Sequence, residues 1–243
     1  MPQLPRAMLI DLDDTILSAF GQAPGQWQRV IAAHAEHLAP HVPDAVIASI
    51  QAYSQYLWAD AARHKHWRHQ IGGARRHIVA TAFAELARSG GPPPPPADLC
   101  DAIADRFNEI QEAELRMFPN AHETLDRLKE LGVKLALVTN GAGEPQRKKV
   151  VRFALEHRFD HIQIEGEHGF GKPEEQAYVH ALASLGVEAK DAWMIGDNLE
   201  WEVVAPQKLG IFAIWYDGYG VGLPAGSDIR PDRIIRSLPE LLD

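Results

Sequence analysis

Four short apolar runs, each cut off by polar or turn-forming residues, limit this chain to few architectures. Ala7-Met8-Leu9-Ile10 runs into Asp11-Leu12-Asp13-Asp14, and Val133 to Val138 runs into Thr139-Asn140-Gly141. Ala192 to Ile195 leads into Gly196-Asp197-Asn198, and Ile211 to Trp215 into Tyr216-Asp217-Gly218. Such runs read as strands buried on both faces. Helical spacing covers His122 to Leu131, Glu144 to His157, Glu174 to Leu185 and a shorter piece from Glu202 to Leu209. Strands alternating with helices predict an α/β fold, a doubly wound and mostly parallel Rossmann-like sheet with helices on both faces. Ligands of such sheets sit beyond the carboxyl ends of the strands, which places Asp11, Thr139 and Asp197 at one rim.

The stretch from Leu17 to Met117 has a different texture: it holds helical spacing and no convincing strand. Trp27 to Leu38, Pro43 to Ala59, Gly73 to Ala87 and Ala97 to Leu115 carry the apolar repeats. Residues 18–115 are therefore expected as an all-helical domain inserted into a core of residues 1–17 and 116–243, with hinges near Leu17 to Gly21 and Leu115 to Pro119. Ser89-Gly90-Gly91 followed by Pro92 to Pro96 cannot continue a helix, because repeated prolines remove donors and favour an extended chain.

Composition restricts the partners. Of 243 residues, 33 are Asp or Glu and 24 Lys or Arg, a formal charge of -9 that disfavours a broad footprint for nucleic acid or anionic lipid. The six tryptophans are scattered without interleaved basic residues, unlike a base-stacking surface, and Trp193 and Trp215 read as core or strand-edge residues. Cys100 is the sole cysteine, so neither an internal disulfide nor a thiolate metal cluster is available. No signal peptide or membrane span fits the N-terminus, which makes a cytoplasmic location the expectation. Oligomeric state is not legible.

Asp11 and Asp13 stand two residues apart directly after a strand. A regular strand would put them on one face, whereas a loop could turn one carboxylate toward phosphorus and metal and the other toward a leaving oxygen. That pair can supply a nucleophile and a general acid; the alternative is a pair of solvated or helix-capping acids. Phosphoryl transfer also needs charge compensation and an in-line nucleophile. Thr139 and Asn140 offer side-chain donors, the backbone around Gly141 an anion-binding turn, Lys172 a positive charge, and Asp197 with Asp11 hard oxygen ligands for Mg²⁺.

Taken together, Asp11-Leu12-Asp13-Asp14-Thr15, Thr139-Asn140-Gly141, Lys172-Pro173 and Gly196-Asp197-Asn198-Leu199-Glu200-Trp201-Glu202 resemble, in order, the motifs of the haloacid dehalogenase-like hydrolases. The resemblance is to the phosphatase branch whose helical cap lies between the first and second motifs. It implies Asp11 as nucleophile, Asp13 as acid and then base, Thr139, Asn140 and Lys172 around the phosphoryl group, and Mg²⁺ held by Asp11, the Asp13 carbonyl and Asp197. Asp14, Thr15, Gly141 and Asn198 are then local supports. Glu202 stands where many relatives have an aspartate; its extra methylene could reach a metal-bound water or Lys172 through altered geometry. The implied activity is hydrolysis of a small phosphorylated metabolite, such as phosphoglycolate, a sugar phosphate or a nucleoside monophosphate. Asp13 favours a phosphatase over a dehalogenase of the same fold, because carbon–halogen cleavage needs no acid for an alkoxide. A phosphomutase and a catalytically silent binding protein are the other readings.

Substrate choice is expected to lie in the insertion. His64-Lys65-His66-Trp67-Arg68-His69 is dense in donors, and Trp67, Arg68, Arg75 and Arg76 are candidates for a leaving-group contact. His66 and His69 lack a carboxylate or cysteine to complete a zinc signature. Tyr216 to Gly220 reads as a glycine-bearing rim loop, with structural turning as its main role.

Overall fold

A computed structural model describes residues 4–21 and 23–243. The chain opens with β1 (Ala7–Ile10) and a two-residue strand, β2 (Leu17–Ser18). Six helices follow: α1 (Ala23–Ala33), α2 (Ala35–Leu38), α3 (Pro43–Ala59), α4 (Ala61–Trp67), α5 (Ile71–Arg88) and α6 (Ala97–Glu114). Then come β3 (Arg116–Met117), α7 (Ala121–Glu130), β4 (Lys134–Thr139), α8 (Gly143–Arg152), β5 (His161–Ile164), α9 (Glu165–His168) and α10 (Glu175–Leu185). The chain ends through β6 (Ala192–Gly196), a π-helical turn over Leu199–Val204, α11 (Ala205–Lys208), β7 (Phe212–Tyr216) and β8 (Arg233–Ile235).

Six strands form one parallel sheet in the order β5-β4-β1-β6-β7-β8. All four residues of β1 are fully buried, as a central strand covered on both faces requires. Strand order reverses direction at β1, which lies between β4 and β6. Ile10 pairs with Leu137 on one side and with Ile195 on the other. Asp11 therefore stands level with Val138 and Gly196, at the switch point where open α/β sheets bind ligands.

One face of the sheet is sealed by α10, whose Tyr178, Ala181, Leu182 and Leu185 pack with Leu9, Ala136, Val138 and Met194. The large apolar side chains in this layer each gain roughly 1.5–3 kcal/mol from burial. That rigid layer holds the strand ends, and so the rim residues, in place.

The chain separates into two compact units, Met1–Ala19 with Arg116–Asp243, and Phe20–Leu115. The second has its own core, in which Val30 and Ile31 of α1, Ile50 of α3, Phe83 of α5 and Ile103 and Phe107 of α6 are buried together. Trp27 stacks on Phe107 with ring centroids 3.8 Å apart. Cys100 belongs to this core, and the Pro92 to Pro96 segment links α5 to α6 without regular structure.

Several details depart from the sequence expectations. The sheet has six strands, and the two unforeseen ones, β5 and β8, carry polar or charged residues (His161, Gln163, Arg233) that hide them from an apolar-run criterion. The stretch from Leu17 to Met117 is not strand-free at its margins, since β2 and β3 pair antiparallel through Leu17 with Met117 and Ser18 with Arg116. The Trp27 to Leu38 helix is interrupted at His34, and the helix expected to reach His157 stops at Arg152, with Ala154 in a left-handed conformation (φ 49°). The expected Glu202 to Leu209 helix begins earlier, in the π-helical turn.

Candidate active site

Asp11 leaves β1 with its backbone N–H still donating to Ile195 O (3.0 Å), so its position is fixed by the sheet ladder. The chain then turns sharply. Asp14 adopts a left-handed conformation (φ 57°), a costly state that its neighbours secure: Asp14 Oδ1 accepts from Ala19 N and from the Tyr219 hydroxyl, both at 2.8 Å. The turn separates the two acids that a straight strand would align. The Asp11 carboxylate meets Lys172, and the Asp13 carboxylate meets α8.

Lys172 is fully buried, and its ammonium bridges Asp11 Oδ1 (2.5 Å) and Glu202 Oε1 (2.7 Å). Thr15 Oγ1 donates to the other Asp11 oxygen, Oδ2, at 3.1 Å, so the carboxylate plane is held from both ends. Lys172 is itself placed by Asn140. The Asn140 Oδ1 accepts from Lys172 N (2.8 Å) and its Nδ2 donates to Lys172 O (2.7 Å), joining the two motifs like a pair of strand residues. The side chain expected to donate to a phosphoryl group is thus committed to the lysine's backbone.

Asp13 is gripped from α8. Lys149 Nζ lies 2.8 and 2.7 Å from its two oxygens, and Gln146 Nε2 donates both to Asp13 Oδ2 (3.0 Å) and to Thr139 Oγ1 (2.7 Å). Gln146 and Lys149 escaped sequence analysis. Their three-residue spacing just after Thr139-Asn140-Gly141 is the signal that could have found them, because it sets both on one face of a helix rising from the rim. Gly141 N donates to Glu165 Oε2 at 2.9 Å, a second unforeseen contact, and Gly141 has the positive φ (112°) that glycine adopts freely.

Glu202 is accommodated by local backbone geometry. Asn198 Oδ1 caps the π-helical turn by accepting from Glu200 N and Trp201 N, each at 3.1 Å. The turn brings Glu202 back under the strand, where its Oε2 accepts from Asn198 N at 2.8 Å. A Cβ on Gly196 would lie 2.1 Å from Glu202 Cγ, so glycine is required for the longer acid to fit. Gly196→Ala is expected to destabilise the protein by about 1–3 kcal/mol through overpacking. Urea unfolding measures this, and an unchanged midpoint would show that Glu202 does not need the space. Asp197 is held through its carbonyl, which accepts from Trp215 Nε1 at 2.7 Å.

Negative charge exceeds positive in this pocket. Burial raises the Asp11 pKa, with Lys172 opposing. For Asp197, burial and then the Glu202, Asp11 and Asp14 carboxylates lift it well above the ordinary range. Burial, opposed by Lys172, pushes Glu202 from 4.5 up to about 7. At Lys172 burial acts to lower the pKa, but Asp11 and Glu202 outweigh it and hold the ammonium above its usual range. Two buried acids, Asp11 and Glu202, and the half-buried Asp197 around one buried lysine form a donor set of hard oxygens with uncompensated charge, which fits a divalent cation such as Mg²⁺.

A pH signature follows. Between about 4.5 and about 7 the folded, metal-free chain retains a proton on Glu202 that the unfolded chain releases. The Glu202 contribution to stability therefore falls as pH rises through that window. The stability of the parent relative to Glu202→Gln, measured by urea unfolding in chelator, should decline from pH 4.5 to 7; a rising difference would contradict it.

In the helical unit, Arg76 is exposed and forms a two-pronged pair with Asp105 (2.9 and 2.6 Å). Arg75 donates to Asn108 Oδ1 and lies over the Phe107 ring, and burial lowers its pKa to about 10. Trp67 stacks on His77, Arg68 is buried at the end of α4, and His66 bonds Gln70. The four candidate specificity residues are thus placed on α4, its C-terminal end and α5.

Comparison with known proteins places the chain among relatives. Residues 5–210 match the family described as haloacid dehalogenase-like hydrolase. A phosphoserine phosphatase from Thermus thermophilus is 30% identical over 250 residues, spanning 97% of each chain. A glyceraldehyde 3-phosphate phosphatase from Pyrococcus abyssi is 31% identical over 110 residues, 45% of this chain and 46% of that one. A HAD hydrolase from Bacillus subtilis, solved bound to magnesium, shares the fold with a TM-score of 0.69 at 24% identity, covering 98% of this chain and 97% of that one. The fold and site define an α/β protein in which acids and a lysine gather at the switch point of a doubly wound parallel sheet. The chain belongs to the haloacid dehalogenase-like hydrolases.

Proposed function

We propose that this chain, a phosphoric monoester hydrolase, cleaves small phosphomonoesters through an aspartyl-phosphate on Asp11, with Mg²⁺ as cofactor. The observation that carries the reading is the Asp11–Lys172–Glu202 chain at the switch point, with Asp197 adding a further, half-buried carboxylate. Asp11, Asp197 and the Asp13 carbonyl would hold the ion, which supplies charge neutralisation for the phosphoryl oxygens.

The residues divide the work. An Asp11 carboxylate oxygen attacks phosphorus while the bond to the leaving oxygen breaks, and Lys172 and Thr15 keep the carboxylate from rotating away from the line of attack. Thr139 and the Asn140 backbone N–H would face the phosphoryl oxygens, the Gly141 N–H being taken by Glu165. Asp13 protonates the leaving alkoxide, then takes a proton from the water that attacks phosphorus and frees Asp11. The ion pair with Lys149 suits the proton-accepting step directly; the donating step requires that pair to open or the proton to enter on a monoanionic ester. Discrimination among leaving groups is assigned to the helical unit. The full-length similarity to a phosphoserine phosphatase puts phosphoserine first in a panel with phosphoglycolate, sugar phosphates and nucleoside monophosphates.

Phosphate release from that panel should require Mg²⁺ and stop on chelation, with recovery on adding Mg²⁺ back. Full turnover by exhaustively metal-free protein would refute the metal-assisted mechanism. Failure of Mg²⁺-loaded protein on every ester would favour a binding role instead.

A further inference from the structure

Away from the carboxylates, three histidines converge. Among the described residues, His161, His168 and His180 each bring one potential ligand atom within 4.8 Å of the others. His161 opens β5, His168 ends α9 and His180 lies in α10. Their rings are 5.2 to 6.0 Å apart between centroids, with Phe170 packed edge-on against His168 and His180. Each of the three histidines is partly exposed.

The hydrogen bonds decide which nitrogens are available. Near His168, Nδ1 lies 3.1 Å from the Ile164 carbonyl, which only accepts, so Nδ1 carries the proton and Nε2 the lone pair. His180 Nδ1 lies 2.8 Å from Gln163 Oε1. The Gln163 amide is oriented independently, because its Nε2 donates to Ala177 O at 2.9 Å; its oxygen therefore faces His180, which again leaves Nε2 as the ligand atom. The third member, His161 Nε2, is buried without a hydrogen-bond partner. Two ligating nitrogens are thus preset by the partners of the opposite ring nitrogen, the arrangement that orients metal-bound histidines.

We propose that His161, His168 and His180 form a second metal site, taking Zn²⁺ or a similar borderline transition metal through their Nε2 atoms. Three imidazoles without a carboxylate select such ions over Mg²⁺ and Ca²⁺, and three protein ligands leave one coordination position for water or an anion. Zn–N bonds of about 2.0–2.1 Å set the nitrogens roughly 3.3 Å apart in a tetrahedron, so closure requires side-chain shifts on the order of 1 Å. The ion would tie β5, α9 and α10 together, with His168 four residues before Lys172. This site is separate from the Mg²⁺ donor set and does not depend on the proposed phosphatase mechanism.

The test uses untagged, chelator-stripped full chain, loaded with Zn²⁺ in excess Mg²⁺ and dialysed before elemental analysis. One zinc per chain should be retained, with an upward shift in Tm, and Asp197→Asn should bind equally well. The His168→Ala/His180→Ala variant should lose affinity by at least about 100-fold. Zinc retained equally by that variant, or no stoichiometric zinc in the parent, overturns the proposal. Should the variant fail to fold, Cu²⁺ bound to the parent gives an independent answer: electron paramagnetic resonance should show coupling to several imidazole nitrogens, and an oxygen-only pattern rejects the site.

Discussion

Asp11→Asn is expected to lower kcat/KM for a phosphomonoester by at least about four orders of magnitude, a loss of the size found when a covalent nucleophile is removed. An amide keeps the size of the side chain but has no anionic oxygen to bond phosphorus. Lys172 would then face a neutral partner on one side and Glu202 on the other. Intact-protein mass after rapid quenching separates this from a general loss of structure. The parent should show a phosphoenzyme and Asp11→Asn should not, while the variant retains a cooperative unfolding transition. A phosphoenzyme of normal abundance in Asp11→Asn would move the nucleophile elsewhere.

Lys172→Met should be the most destabilising single change in the pocket, by about 3–5 kcal/mol at neutral pH, because it leaves Asp11 and Glu202 buried without their shared cation. Methionine preserves most of the volume, so the loss reports charge more than packing. The variant should regain part of its stability as pH falls and the carboxylates take up protons. Urea unfolding at two pH values gives both numbers. A loss below about 1 kcal/mol would mean that solvent reaches these acids more freely than their burial indicates. Turnover should also collapse, since in the proposed mechanism the same ammonium positions the nucleophile and neutralises the group transferred.

Most of the carboxylate rim was legible from residue order. An apolar run followed at once by acids, threonine or glycine can be read as a buried strand ending in a polar loop, and parallel strands must put those ends on one side of the sheet. Asp11, Thr139 and Asp197 needed no more than that to be placed together. The helices from Ala23 to Glu114 were readable for the same kind of reason, as a long stretch of helical spacing between the first strand and the next. Strands such as His161–Ile164 and Arg233–Ile235 escaped because their polar residues are tolerated by neighbours the sequence does not name.

What the tertiary structure decided concerns partners distant in the chain. The use of Asn140 on the lysine's backbone, the hold of Gln146 and Lys149 on Asp13, and the fit of Glu202 beneath Gly196 depend on distances of a few ångströms. Side-chain type gives the chemistry available, while burial and hydrogen-bond partners choose among its uses. The three histidines make the same point: 161, 168 and 180 have no recognisable ligand spacing in sequence, and only the packing of a strand end, a short helix and α10 brings their nitrogens within 4.8 Å.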